Sequence, residues 1–154
     1  MEKEYDPLLK DGFQEIALWQ LDKVFLEPFG ENEHRKMLID RLKVYLTEVE
    51  AIRLPFEVWI DGSFSTEKPE PTDVDLVLLF DRDEVDSLAG VQSDMFQNLI
   101  VEREEIKARY NCDVFFIDGG NEAQKNTWQN TFGKDSRKVQ SKGIFRVKFG
   151  GRHA

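Results

Sequence analysis

With a single cysteine, Cys112, the chain can close no disulfide within itself and has no thiolate set for a zinc site. Its two histidines, His34 and His153, are too few for a histidine-rich metal centre. Long apolar runs are missing as well: nothing approaches the ~20 residues that a membrane-spanning helix needs, and the opening MEKEYDPLL does not read as a signal peptide. A cytoplasmic protein with no membrane partner is therefore expected. Basic residues are in deficit, 21 Lys and Arg against 30 Asp and Glu, for a net charge of -9. That balance argues against a protein that clamps phosphate backbones without regard to sequence. It leaves room for a small site in which carboxylates and divalent ions handle a triphosphate.

What the chain does have is material for a core. Apolar residues make up 40% of 154 positions, twelve of them Phe, which suits one folded domain and leaves two cramped. LWQLDKVFLEPFG, 18 to 30, reads as a short amphipathic piece stopped by Pro28 and Gly30. Asn32 can cap a helix running to about Ala51, whose Leu38, Leu42, Tyr45, Leu46 and Val49 form one stripe. Arg35, Lys36, Arg41, Lys43, Glu48 and Glu50 are expected on its solvated face. FEVWI, 56 to 60, and DVDLVLLF, 73 to 80, read as strands, the second buried on both sides. Pro69 and Pro71 restrict the connection between them to a loop or a single turn, and DRDEVD, 81 to 86, is an acidic exit loop.

A helix from about Ser93 to Tyr110 is expected to bury Phe96, Leu99, Ile100, Ile106 and Tyr110. CDVFFID, 112 to 118, is a third strand, with Asp118 starting an Asp-Gly-Gly turn. Residues 121 to 132 are helical, with Trp128 and Phe132 on the inner face, and GIFRVKF, 143 to 149, alternates as an edge strand. The order of elements implies one α/β or α+β domain with helices against a mixed sheet. Residues 1–30 would be an N-terminal extension packed on a domain of 31–150, with 151–154 a tail.

Two carboxylates open the second strand. Asp73 and Asp75 are two positions apart, so they share a face at roughly 6.5–7 Å between Cα atoms. Carboxylates that close repel one another, and divalent cations relieve the cost. Asp113 begins the third strand on the face of Phe115 and Ile117, as Asp75 does on that of Val77 and Leu79. Three acids so placed would hold Mg²⁺ or Mn²⁺, two ions if about 3.5–4 Å apart. Gly62 and Ser63 close the preceding strand; glycine allows backbone to approach a phosphate, and Ser63 adds a hydroxyl donor. Lys68, in the connecting loop, is a further candidate for the same anion. Seven basic residues, Lys134, Arg137, Lys138, Lys142, Arg146, Lys148 and Arg152, gather in the last twenty-one positions, where protection of an edge strand is the plainer reading. Of the remaining residues, Trp59 and Cys112 read as core and His34 as surface.

An apolar strand, Gly62-Ser63, nine residues and then Asp73-Val74-Asp75 resembles the signature of the polymerase-β-like nucleotidyltransferase superfamily. The match is nearer to a group of small, poorly characterised bacterial proteins within it. These share the DGSF-x-T-x-K-x-x-P-x-D-V/I-D core at 61 to 75, a Phe-Gly-x-Asn-x-His-Arg stretch at 29 to 35, and a Lys-Gly-Ile at 142 to 144. The resemblance implies a mixed sheet backed by helices and transfer of a nucleoside monophosphate from NTP to a hydroxyl. It assigns Asp73, Asp75 and Asp113 to metal and catalysis, and Gly62 and Ser63 to the triphosphate. Small relatives that modify a toxin or tRNA suggest a protein or RNA acceptor in a toxin–antitoxin or defence setting. The other expectation is a nucleotide- or partner-binding module without turnover.

Overall fold

The computed structural model describes residues 5–132 and 143–150. Its centre is a five-stranded mixed sheet of β1 (Phe13–Glu15), β2 (Phe56–Asp61), β3 (Val74–Phe80), β4 (Cys112–Asp118) and β5 (Ile144–Phe149), in the order β1-β5-β2-β3-β4. β5 is antiparallel to β2 and parallel to β1, while β3 is antiparallel to β2 and parallel to β4. The α/β expectation holds, in one domain. Among the described residues no helix is long and apolar enough to cross a membrane.

Helices α1 (Leu21–Phe25), α2 (Glu33–Glu50), α3 (Arg82–Asp86), α4 (Gly90–Phe96), α5 (Arg103–Tyr110) and α6 (Glu122–Phe132) surround the sheet. Asn32 caps α2 by accepting from the Arg35 amide at 2.9 Å, and all five expected stripe residues are buried. They pack with Phe25 and the even-numbered residues of β2 and β3, each such side chain contributing about 1.5–3 kcal/mol by burial. The opposite face carries a smaller cluster, Trp59, Val77, Leu79, Ile117 and Ile144, with Phe13, Phe115 and Trp128 laid against it. Trp59 is 2% exposed with its ring 5.1 Å from Phe13, so it is core, as expected.

Several expectations need correction. The helix expected over 93–110 is interrupted: Gln97–Val101 forms a wide π-helical turn, and Glu102 leaves helical geometry before α5 begins. The five expected residues are nonetheless buried. An uninterrupted α-helix that buried Ile100 would also bring Arg103, Glu104 and Lys107 inward; the break keeps these charges out. β5 is an interior strand, because the segment expected to be a mere extension supplies β1 on its outer side. Residues 82–86 form a short helix, since Asp81 accepts from the amides of Asp83 and Glu84 at 2.9 and 3.2 Å. Lys134, Arg137, Lys138, Lys142, Arg152, the tail and the side chain of Phe132 lie outside the described residues.

Candidate functional site

Strand register assembles the acids. Asp75 pairs with Asp61 across the antiparallel β2–β3 ladder and with Asp113 across the parallel β3–β4 ladder. Paired residues point the same way, so Asp61, Asp75 and Asp113 form a row across three strands. The row lies at the end of the face that carries Trp59, Val77 and Phe115, and Asp73 adjoins it just before β3. Asn111 sets this end of β4. It stops α5 in a left-handed conformation (φ 56°), and its carbonyl accepts from the Val74 amide at 2.8 Å. In the sequence Asp61 only opens the shared DGSF stretch and carries no role. Its 4% exposure and its bond from the Ser65 hydroxyl at 3.2 Å make it part of the site.

Gly62 turns the chain directly over this row. Its φ of 78° suits glycine, and a β-carbon there would overlap the Asp75 carboxylate. Ser63 begins a single 3₁₀ turn, Ser63–Ser65, and its hydroxyl stays half-buried with no hydrogen bond to another described residue. Lys68 forms no ion pair with the four acids; what it contributes in the structure is its backbone carbonyl.

That carbonyl exposes the largest departure from expectation. Arg35, expected on a solvated face, is 0% exposed. Its guanidinium donates to the carbonyls of Phe25 and Phe64 at 3.0 Å each, of Thr66 at 2.8 Å, and of Lys68 at 2.7 and 3.2 Å. Asn32 Nδ2 donates to the Pro69 carbonyl at 2.7 Å, and His34, partly buried at the surface, bonds the Pro71 carbonyl at 2.5 Å. The first turn of α2 thus fastens the whole connection from the Gly-Ser turn to β3. A planar fork with five donors spread over three nitrogens can serve all four carbonyls, where the three donors on the one nitrogen of lysine cannot. The signal for this clamp in the sequence is the Phe-Gly-x-Asn-x-His-Arg stretch, which by itself names no acceptor.

Two cations from α5 complete the site. Arg103 Nη2 lies 2.7 Å from Asp113 Oδ1, with its guanidinium 3.8 Å from the Phe115 ring centroid. Lys107, one turn further along, lies 3.3 Å from Asp73 Oδ2. The pKa of Lys107 is raised, first by the hydrogen bond and charge of Asp73, then by the charges of Asp113 and Asp75. One ammonium therefore feels all three acids singled out from the sequence. Beneath them, burial pushes the Cys112 thiol up to about 12, with the charges of Asp73 and Asp75 adding to the effect.

The donors suit Mg²⁺ or Mn²⁺ in kind, being hard carboxylate oxygens on one face whose combined field reaches a single cation. As placed, however, no three His, Cys, Asp or Glu side chains among the described residues are gathered to hold a metal ion. Asp113 and Asp73 are instead engaged by Arg103 and Lys107. No curated protein and no solved structure matches this chain. Residues 2–148 do match a family of unknown function (DUF6932), and the chain belongs to that family.

Proposed function

We propose that the chain is a metal-dependent nucleotidyltransferase that moves a nucleoside monophosphate from NTP to a hydroxyl of a protein or RNA partner. One observation carries this reading: β3 and β4 run parallel with Asp75 beside Asp113, and the Gly62 turn lies directly against the Asp75 carboxylate. A scaffold has no use for a row of like charges, each adjacent pair costing about 0.2–1 kcal/mol. Asp73 and Asp75, with Asp113, would hold Mg²⁺ or Mn²⁺. The ion would polarise the phosphates and balance charge on the leaving pyrophosphate. Gly62 gives the triphosphate close access to backbone, and the Ser63 hydroxyl donates to it. The acceptor oxygen bonds to the α-phosphorus as the bond to the β-phosphate oxygen breaks; Asp113 takes the acceptor's proton.

The engagement of Asp73 and Asp113 by Lys107 and Arg103 favours a second reading, a module that binds nucleotide or partner without turnover. Two measurements separate them. A saturating Mg²⁺–NTP complex at about 100 times its Kd should stabilise the native protein by about 2.7 kcal/mol, a rise of roughly 5–10 °C in melting temperature. Asp75→Asn should lose most of that rise, because the position lies between Asp61 and Asp113 at the centre of the acid row. Labelled NTP is then incubated with Mg²⁺ or Mn²⁺ and source-cell lysate. Transfer by the wild type, and not by an Asp73→Ala, Asp75→Ala variant, supports the enzyme. Binding without transfer supports the module, and the absence of binding to any NTP sinks both nucleotide readings.

A further inference from the structure

We infer that Arg103 and Lys107 are exchangeable counter-ions of this site, neutralising Asp113 and Asp73 until a divalent ion takes the acids and then binding the phosphate oxygens of the nucleotide. The inference rests on the nucleotidyltransferase reading and adds the residues that recognise the triphosphate, a part for which the sequence offered Lys68. Geometry supports it in three ways. Both cations project from the same helix at an i, i+4 spacing, so they present two positive charges side by side, as a polyphosphate requires. Each is already at the acids, at 2.7 and 3.3 Å, so a change of partner needs only side-chain rotation. Both are about half exposed, at 48% and 54%, so neither is locked into the core.

Arg103 is the better placed of the two. Its guanidinium stacks on Phe115, which fixes the plane of the fork while leaving its edge available to a phosphate. The break at Glu102 is what makes the arrangement reachable. It ends the π-helical turn and starts α5 afresh, with Arg103 as the first residue. Lys68 differs from both in its contacts: its backbone carbonyl is held by Arg35, and its ammonium pairs with none of the four acids among the described residues.

An exchange makes a prediction that simple structural support does not: the two ligands respond in opposite directions. Mn²⁺ alone must displace the internal cations, so Arg103→Gln and Lys107→Gln should each bind Mn²⁺ about two- to fivefold more tightly, the worth of a partly exposed ion pair. The same variants should bind Mg²⁺ with each of the four NTPs about tenfold more weakly, having lost a charge-assisted contact. Affinities would be read by Mn²⁺ electron paramagnetic resonance and by calorimetry. Lys36→Gln, which removes the exposed pair with Asp40 on α2, serves as the charge control and should leave both affinities unchanged. If both affinities fall together, or neither moves while the wild type binds, the pair is structural and this inference fails alone. If the wild type binds neither Mn²⁺ nor Mg²⁺–NTP, the nucleotidyltransferase reading fails and takes this inference with it.

Discussion

Arg35 occupies a position that local rules disfavour in three ways. It is a fully buried cation, none of its hydrogen bonds goes to a carboxylate, and it lies in the first turn of α2, where the helix dipole opposes positive charge. Burial alone brings its pKa down to about 10, which still leaves it protonated at neutral pH. Five hydrogen bonds to four carbonyls and the Phe29 ring, 3.7 Å from its guanidinium carbon, offset these costs. Departures of this kind concentrate at functional sites, and here the beneficiary is the loop that places Gly62 and Ser63. Arg35→Met should destabilise the protein by about 3–5 kcal/mol, since it strands buried carbonyls. Arg35→Lys should recover only a minor part, because one ammonium cannot reach four acceptors. Urea unfolding gives the loss, and hydrogen exchange should locate it first in residues 64–69. Unchanged exchange there in Arg35→Met would refute the clamp.

At the level of elements, the π-helical turn Gln97–Val101 is joined to α2 by the Tyr45 hydroxyl, which donates to the Leu99 carbonyl at 2.6 Å in a buried setting. Tyr45→Phe keeps the ring and its packing on Tyr110, 5.1 Å away, and removes only that bond. A loss of about 1–2 kcal/mol in denaturant unfolding is expected, with α5 loosened before the sheet. The strands of β2, β3 and β4 were legible because each is a strong apolar run, and so was the common face of Asp75 and Asp113, because side chains alternate. The break before α5 was legible in principle: Ile100 is followed at three, four and seven residues by Arg103, Glu104 and Lys107, a sequence that no buried helical stripe tolerates. β1 was not legible, since Phe13-Gln14-Glu15 offers one apolar residue and too few positions for a period. Missing β1 made β5 look like an edge. Arg35 was hidden for another reason: its four acceptors are main-chain carbonyls, which leave no mark in a sequence.

For the molecule as a whole, alkaline pH is the direction of weakness. Burial raises the Cys112 thiol from 9.0 to about 12 and the Tyr45 hydroxyl well above 10.0. The folded state therefore keeps these protons when the unfolded chain releases them. The contribution of Cys112 is complete below pH 9 and is lost as pH rises through about 12. Melting temperature should fall across that window, and Cys112→Ala should make the fall shallower; an equal slope in both proteins would remove Cys112 as a cause. The sheet has a further consequence, in the timing of synthesis. Glu15 of β1 and Arg146 of β5 are 131 residues apart in sequence yet adjacent in the sheet. β2 waits for β5 along its other edge, and a ribosome adding about 5–20 residues per second needs several seconds to pass from one strand to the other. Until then β1 has no strand to join and β2 presents a bare apolar edge to any neighbouring nascent chain. The interval in which the nascent chain is most open to wrong strand pairing therefore falls between the synthesis of β2 and that of β5, after the acid row is encoded and before the sheet that supports it can close.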